Sequence, residues 1–185
     1  MNLTLSLSRT CNLSYDFPDA ISVAAWQQRL AEAAWQRWEA EHHIRTREQT
    51  LCVNYSGVPF TAPGPEPIYV YHSDPTLDAE RALPAIFGLS VLDQHKAPVS
   101  FLQRAATILR PQGLLFLTFA FWDAEGEDCA EGADSRARIY DVHSWKKLIA
   151  EARRCGFQTF GGMDWRYHGN KLVDHTLASL VLTRR

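Results

Sequence analysis

One run of residues fit for proton chemistry is Asp93-Gln94-His95, an acid, an amide and an imidazole in succession. It closes an almost wholly apolar stretch, Ala85 to Leu92, of the kind a strand covered on both faces needs. The three polar groups therefore stand where a buried strand ends. An imidazole titrates near neutrality, so His95, with Asp93 beside it, could serve as a base there. The plainer reading has His95 capping or packing under the next helix. A second group, Arg138-Ile-Tyr-Asp-Val-His143, offers Tyr140 and His143 to a substrate pocket. It reads equally well as a helix start, with Tyr140 packed and Asp141 as the N-cap. Trp122 and Asp123 follow an apolar run and could wall the same pocket, or close the core. Asp164-Trp-Arg-Tyr-His168, with Asp174 and His175, is rich in recognition side chains, yet such a cluster is often only the polar end of a hairpin.

Metal chemistry is not indicated. There are seven histidines, but no pair has helical ligand spacing with an obvious third ligand. Cys11, Cys52, Cys129 and Cys155 are far apart, with no CxxC pair, which excludes a zinc ribbon and a disulfide framework and makes a reducing cytoplasm the default location. A net charge of -2 gives no basic field for nucleic acid or anionic lipid. No apolar stretch approaches the roughly 20 residues needed to span a bilayer, and Met1 to Arg9 lacks the pattern of a signal peptide. At 185 residues, 46% hydrophobic and 22% charged, the chain fits one globular domain with a real core.

The elements that must position these groups are clearest after Pro84. Ala85 to Leu92 reads as a buried strand, and Pro98 to Leu109 as a helix through Phe101, Leu102, Ala105, Ile108 and Leu109. Arg110-Pro111-Gln112-Gly113 stops that helix and turns the chain into a second buried strand, Leu114 to Phe121. Asp123 to Arg138 is a polar loop long enough for a lid. A helix with Trp145, Leu148, Ile149 and Ala152 on one face runs to Gly156, and Phe157 to Trp165 and Leu177 to Leu182 form two closing strands. Strand, helix, strand, helix and two strands imply a mainly parallel sheet with an antiparallel edge.

The first part is harder to read. Leu3 to Leu7 alternates like a short strand, and Asp19 to about Ile44 is a long helix without Gly or Pro in which Val23, Trp26, Leu30, Ala33, Ala34 and Trp38 recur at helical spacing. Leu51 to Tyr55 and Ile68 to Tyr71 read as strands, separated by a proline-rich loop from Gly57 to Pro67. Trp35 lies off the face set by Val23, Trp26 and Leu30. It therefore either binds a partner or a second copy through helix 19–44, or is covered by the proline loop.

Leu89-Ser-Val-Leu-Asp-Gln-His95 resembles the end of the fourth strand in class I S-adenosylmethionine-dependent methyltransferases. Phe101 to Thr118 is similar to that family's next helix, its Leu-Arg-Pro-Gly-Gly turn and its fifth strand, with Gln112 in place of the first turn glycine. The resemblance covers about the last hundred residues. It implies an α/β, Rossmann-like sheet, abridged at the N-terminus, within a single domain over 1–185 whose recognisable core is 68–185. It also implies S-adenosylmethionine lying across the carboxyl ends of the first strands, and a small-molecule or other acceptor beside Asp93, His95, Tyr140 and His143. Ser90 would then lie near the cofactor. Asn54 would stand where the family's second strand carries an acid for the ribose hydroxyls, and Asp74, after the third strand, would meet the adenine amine or merely make a turn.

The family's first strand feeds a glycine loop that lets backbone amides approach the cofactor. Here Ser8 to Ser14 has no glycine, and Gly57 and Gly64 sit in the proline loop. The protein is then a degenerate fold that serves as an interaction module, an enzyme that holds its cofactor by other residues, or a chain truncated by an altered gene start.

Overall fold

The computed structural model describes residues 10–12, 14–15, 20–43, 48–55, 59–64, 67–70, 82–94, 97–121, 139–163 and 176–185. Strands β3 (Leu51–Asn54), β4 (Ile68–Val70), β5 (Leu83–Leu89) and β6 (Leu109–Phe121) run parallel in the order β4-β3-β5-β6. Strand β9 (Thr176–Arg184) lies antiparallel to β6, with Leu114 opposite Thr183 and Phe121 opposite Thr176. On the other edge of β9 sit β2 (Ser14–Tyr15) at its start and β7 (Phe157–Thr159) at its end, both antiparallel. Outside this sheet, β1 (Thr10–Asn12) and β8 (Gly162–Met163) make a small parallel pair.

The alternation of the central strand assigns the two layers. Leu115, Leu117, Phe119 and Phe121 of β6 face one core, with residues of helices α2 (Val91–Gln94), α3 (Pro98–Ile108) and α4 (Val142–Arg154). Leu114 and Phe116 face the opposite core, covered by α1 (Ala20–His42). Each face has its own apolar cluster, which is why β5 and the last nine residues of β6 are buried throughout.

The expected helix from Asp19 to Ile44 is present as α1, and it stops at His43, whose φ of 52° is left-handed. Trp26, Trp35 and Trp38 are all buried in the α1 core. The proline-rich loop covers Trp35: a Cβ on Gly64 would come within 3.1 Å of its indole Cζ2. Gln28 fastens the same loop to α1, donating to the Thr61 carbonyl at 2.8 Å and accepting from its amide at 3.0 Å. The tryptophans are thus spent inside the chain and give no argument for a partner surface on this helix.

Three expectations change. The strand expected from Ala85 to Leu92 ends at Leu89, and Val91–Gln94 is helix α2, so Asp93 and Gln94 stand on a helical turn after the strand. The Arg110-Pro-Gln-Gly113 segment is no free turn, because it forms the first part of β6. The expected closing strand from Phe157 to Trp165 is interrupted: β7 ends at Thr159, the chain bends at Gly161 (φ 79°), and β8 leaves the main sheet for β1. The segments Leu3–Leu7 and Asp123–Arg138 lie outside the described residues.

Candidate functional site

Parallel strands end together, and register fixes which residues share that edge. Asn54 is level with Leu89, and Leu89 with Thr118, so the carboxyl ends of β3 and β5 meet beside Thr118 of β6, which runs on to Phe121. In an open α/β sheet ligands bind at this edge, where the strand order reverses. Such sheets run 3-2-1-4-5, so β3, directly beside β5, fills the first position and β4 the second. This corrects the expected strand numbering. Asn54 closes the first-position strand rather than the second, and Asp74 follows the second-position strand. Asp74 itself lies outside the described residues, as do His95, Trp122 and Asp123.

Asn54 is buried. The amide of the next residue, Tyr55, donates to the Leu89 carbonyl at 2.8 Å, so that backbone group is committed to the sheet. The connection from β3 to β4 is the proline loop, and its described residues, 59–64 and 67, contain no helix.

On the β5 side the geometry is tighter. Ser90 follows the strand in a left-handed conformation, φ 53°, which costs a non-glycine residue on the order of 1 kcal/mol. Its amide donates to the Thr118 carbonyl at 3.0 Å and also to Thr118 Oγ1 at 3.3 Å. The turn leads into α2, where Asp93 is only 6% exposed. Burial pushes the Asp93 carboxyl up to about 7, against the pull of hydrogen bonds from its own backbone, the Ala120 backbone and the Ser90 side chain. Oxygen Oδ1 of Asp93 is buried and has no partner among the described residues. Asp93 therefore changes charge near neutral pH at the carboxyl edge of the sheet.

Of the other expected site residues, Tyr140 is packed edge-on against Phe119 at 5.0 Å, and its hydroxyl donates to the Leu92 carbonyl at 3.3 Å. It braces the turn carrying Asp93. His143 is exposed in the first turn of α4, which Asp141 caps by accepting from the Ser144 amide at 2.6 Å. The described structure thus brings together Asn54, Ser90 and Asp93, with Tyr140 behind them and His143 on the surface. Two residues of this edge were not singled out in the sequence: Thr118, and Gln27 of α1, whose Nε2 donates to Thr118 Oγ1 at 3.0 Å. The signal was present, since each is a polar side chain inside an apolar stripe and both are fully buried. Among the described residues no group of His, Cys, Asp and Glu could hold a metal ion.

Sequence comparison finds no protein-family model and no curated protein that matches the chain. Solved structures do match. A candidate sarcosine dimethylglycine methyltransferase from Galdieria sulphuraria aligns with a TM-score of 0.56 at 13% identity, over 94% of this chain and 92% of that one. The 1,6-didemethyltoxoflavin-N1-methyltransferase of Burkholderia thailandensis, solved with bound 1,6-didemethyltoxoflavin and S-adenosylhomocysteine, gives 0.55 at 17% identity, over 90% and 81%. The [4+2]-cyclase SpnF gives 0.55 at 13%, over 86% and 82%. The chain has the class I methyltransferase fold, Rossmann-like, with a mainly parallel sheet and an antiparallel edge.

Proposed function

We propose that the protein is an S-adenosylmethionine-dependent methyltransferase acting on a small acceptor, with its site at the carboxyl edge of β3, β5 and β6. The single observation that carries this reading is the Ser90–Asp93 turn. It combines a left-handed serine with a buried acid, one oxygen of which has no partner among the described residues, two destabilising features at the strand-order reversal of a fold that binds ligands there.

The donor set suits the cofactor. Asn54 and Ser90 end adjacent strands and supply an amide and a hydroxyl for its polar groups, and Asp74 is the acid placed after the next strand. Bound there, the cofactor supplies a methyl group activated by a sulfonium. The protein's part is then alignment and removal of the acceptor's proton. Asp93, its carboxyl raised by burial, is the acid placed to take that proton, with His95 two residues on as the second base. Tyr140 keeps its proton on the Leu92 carbonyl and positions the turn.

The test is thermal unfolding with S-adenosylmethionine and with S-adenosylhomocysteine. A ligand that binds only the native state raises the midpoint with dose, by about 2.7 kcal/mol of stabilisation at one hundred times its Kd. A cooperative transition unmoved at millimolar ligand would overturn the reading and leave a methyltransferase scaffold that has lost its cofactor.

A further inference from the structure

Helix α1 precedes the recognisable core, yet one of its side chains reaches the strand-end site. Gln27 is 0% exposed, and its Nε2 donates at 3.0 Å to Oγ1 of Thr118, 91 residues away. The same Oγ1 accepts from the Ser90 amide at 3.3 Å. A hydroxyl oxygen has two lone pairs, so both bonds are accommodated at once. Turning the Gln27 amide over would let the threonine hydroxyl donate to Oε1 instead, so the link holds in either orientation. Burying this glutamine has a cost, because its Oε1 has no partner among the described residues.

We propose that Gln27 is a positioning residue of the strand-end site: from the hidden face of α1 it fixes the Thr118 hydroxyl, and through it the left-handed Ser90 turn that aims Asp93. Gln27 and Thr118 are both fully buried, so they act through Ser90 and do not touch a ligand. The inference rests on the reading of this edge as the ligand site only for its functional consequence, since the brace itself is a matter of hydrogen bonds. Through it, the atypical N-terminal part of the chain becomes a component of the site.

Gln27→Met keeps the length of the side chain and removes both the bond and the orphaned oxygen. Thr118→Val removes the hydroxyl at constant shape, and Thr118→Ser keeps it. Amide hydrogen exchange followed residue by residue, with S-adenosylhomocysteine affinity measured on the same proteins, separates a brace from simple packing. The expected result is a Ser90 amide exchanging about five- to tenfold faster in Gln27→Met and Thr118→Val. The global unfolding midpoint of Gln27→Met is unchanged or raised, ligand affinity falls in both variants, and both properties return in Thr118→Ser. Ser90 protection that merely tracks global stability in Gln27→Met would overturn the proposal. If the wild-type chain binds no S-adenosylhomocysteine, the functional reading fails by itself, and the exchange data still decide the brace.

Discussion

Asp93 shows how a single buried acid writes itself into the pH dependence of the whole chain. Its carboxyl is raised by burial from 3.8 to about 7 in the folded state. Between those values the native chain holds a proton that the unfolded chain has released, so stability falls as pH rises through this window and levels off above it. The expected size of the loss is on the order of 3 kcal/mol from pH 4 to pH 8. Asp93→Asn should abolish this slope, so its melting midpoint exceeds that of the wild type at pH 8 and approaches it at pH 4; parallel curves would show that the acid is not buried. Gln112, like His43 and Ser90, is a non-glycine residue whose left-handed backbone carries a cost. It stands at φ 63°, where the resembling turn has glycine, and its carbonyl accepts from the Trp38 indole at 2.7 Å. Gln112→Gly should raise stability by about 0.5–1 kcal/mol in denaturant titration, the relief of left-handed strain less the entropy glycine adds to the unfolded chain. The next position must stay glycine, since a Cβ on Gly113 would meet the Arg110 carbonyl at 2.8 Å. At this scale the sequence was informative about residue type: Asp93, Ser90 and the departure at Gln112 were visible as letters. That Tyr140 spends its hydroxyl on Leu92 was not, because nothing local sets the distance between residues 48 positions apart.

Elements were legible where one local rule decides them. The α4 face of Trp145, Leu148, Ile149 and Ala152 is buried as its spacing predicts, and Asp141 caps it. Strands β5 and β6 were read from apolar runs that parallel burial on both faces requires. Strand order was not legible. Leu51–Asn54 was identified as a strand, but its place beside β5 comes from non-local pairing, and moving it one position shifts every family role assigned to its end. The connection after it was equally opaque, since a crossover between parallel strands is usually helical and this one is a proline loop pinned to α1. Trp35 marks that junction, with ring centroids 5.1 Å from Trp38 and 6.2 Å from Phe87. Trp35→Ala should therefore cost about 3–5 kcal/mol in equilibrium unfolding. A variant of wild-type stability but altered oligomeric mass would instead return the helix to the role of an interface.

At the scale of the molecule, fold and reaction are separate questions. Structures with this architecture include two described as methyltransferases and one described as a [4+2]-cyclase, so the sheet alone does not fix the chemistry. The chemistry rests on the carboxyl edge and on whether the cofactor stabilises the native state. The position of β9 has a further consequence, for the order in which the chain can be completed during synthesis. It follows β6 only after a long intervening stretch that holds α4, β7 and β8, yet it pairs with β6 over Leu114 to Phe121 and also receives β2 and β7. Until it leaves the ribosome, β6 keeps one edge of unpaired amides and carbonyls beside an apolar surface, and β2 has nowhere to dock. Nascent chains are then exposed to intermolecular strand pairing from the emergence of β6 until β9 has been made.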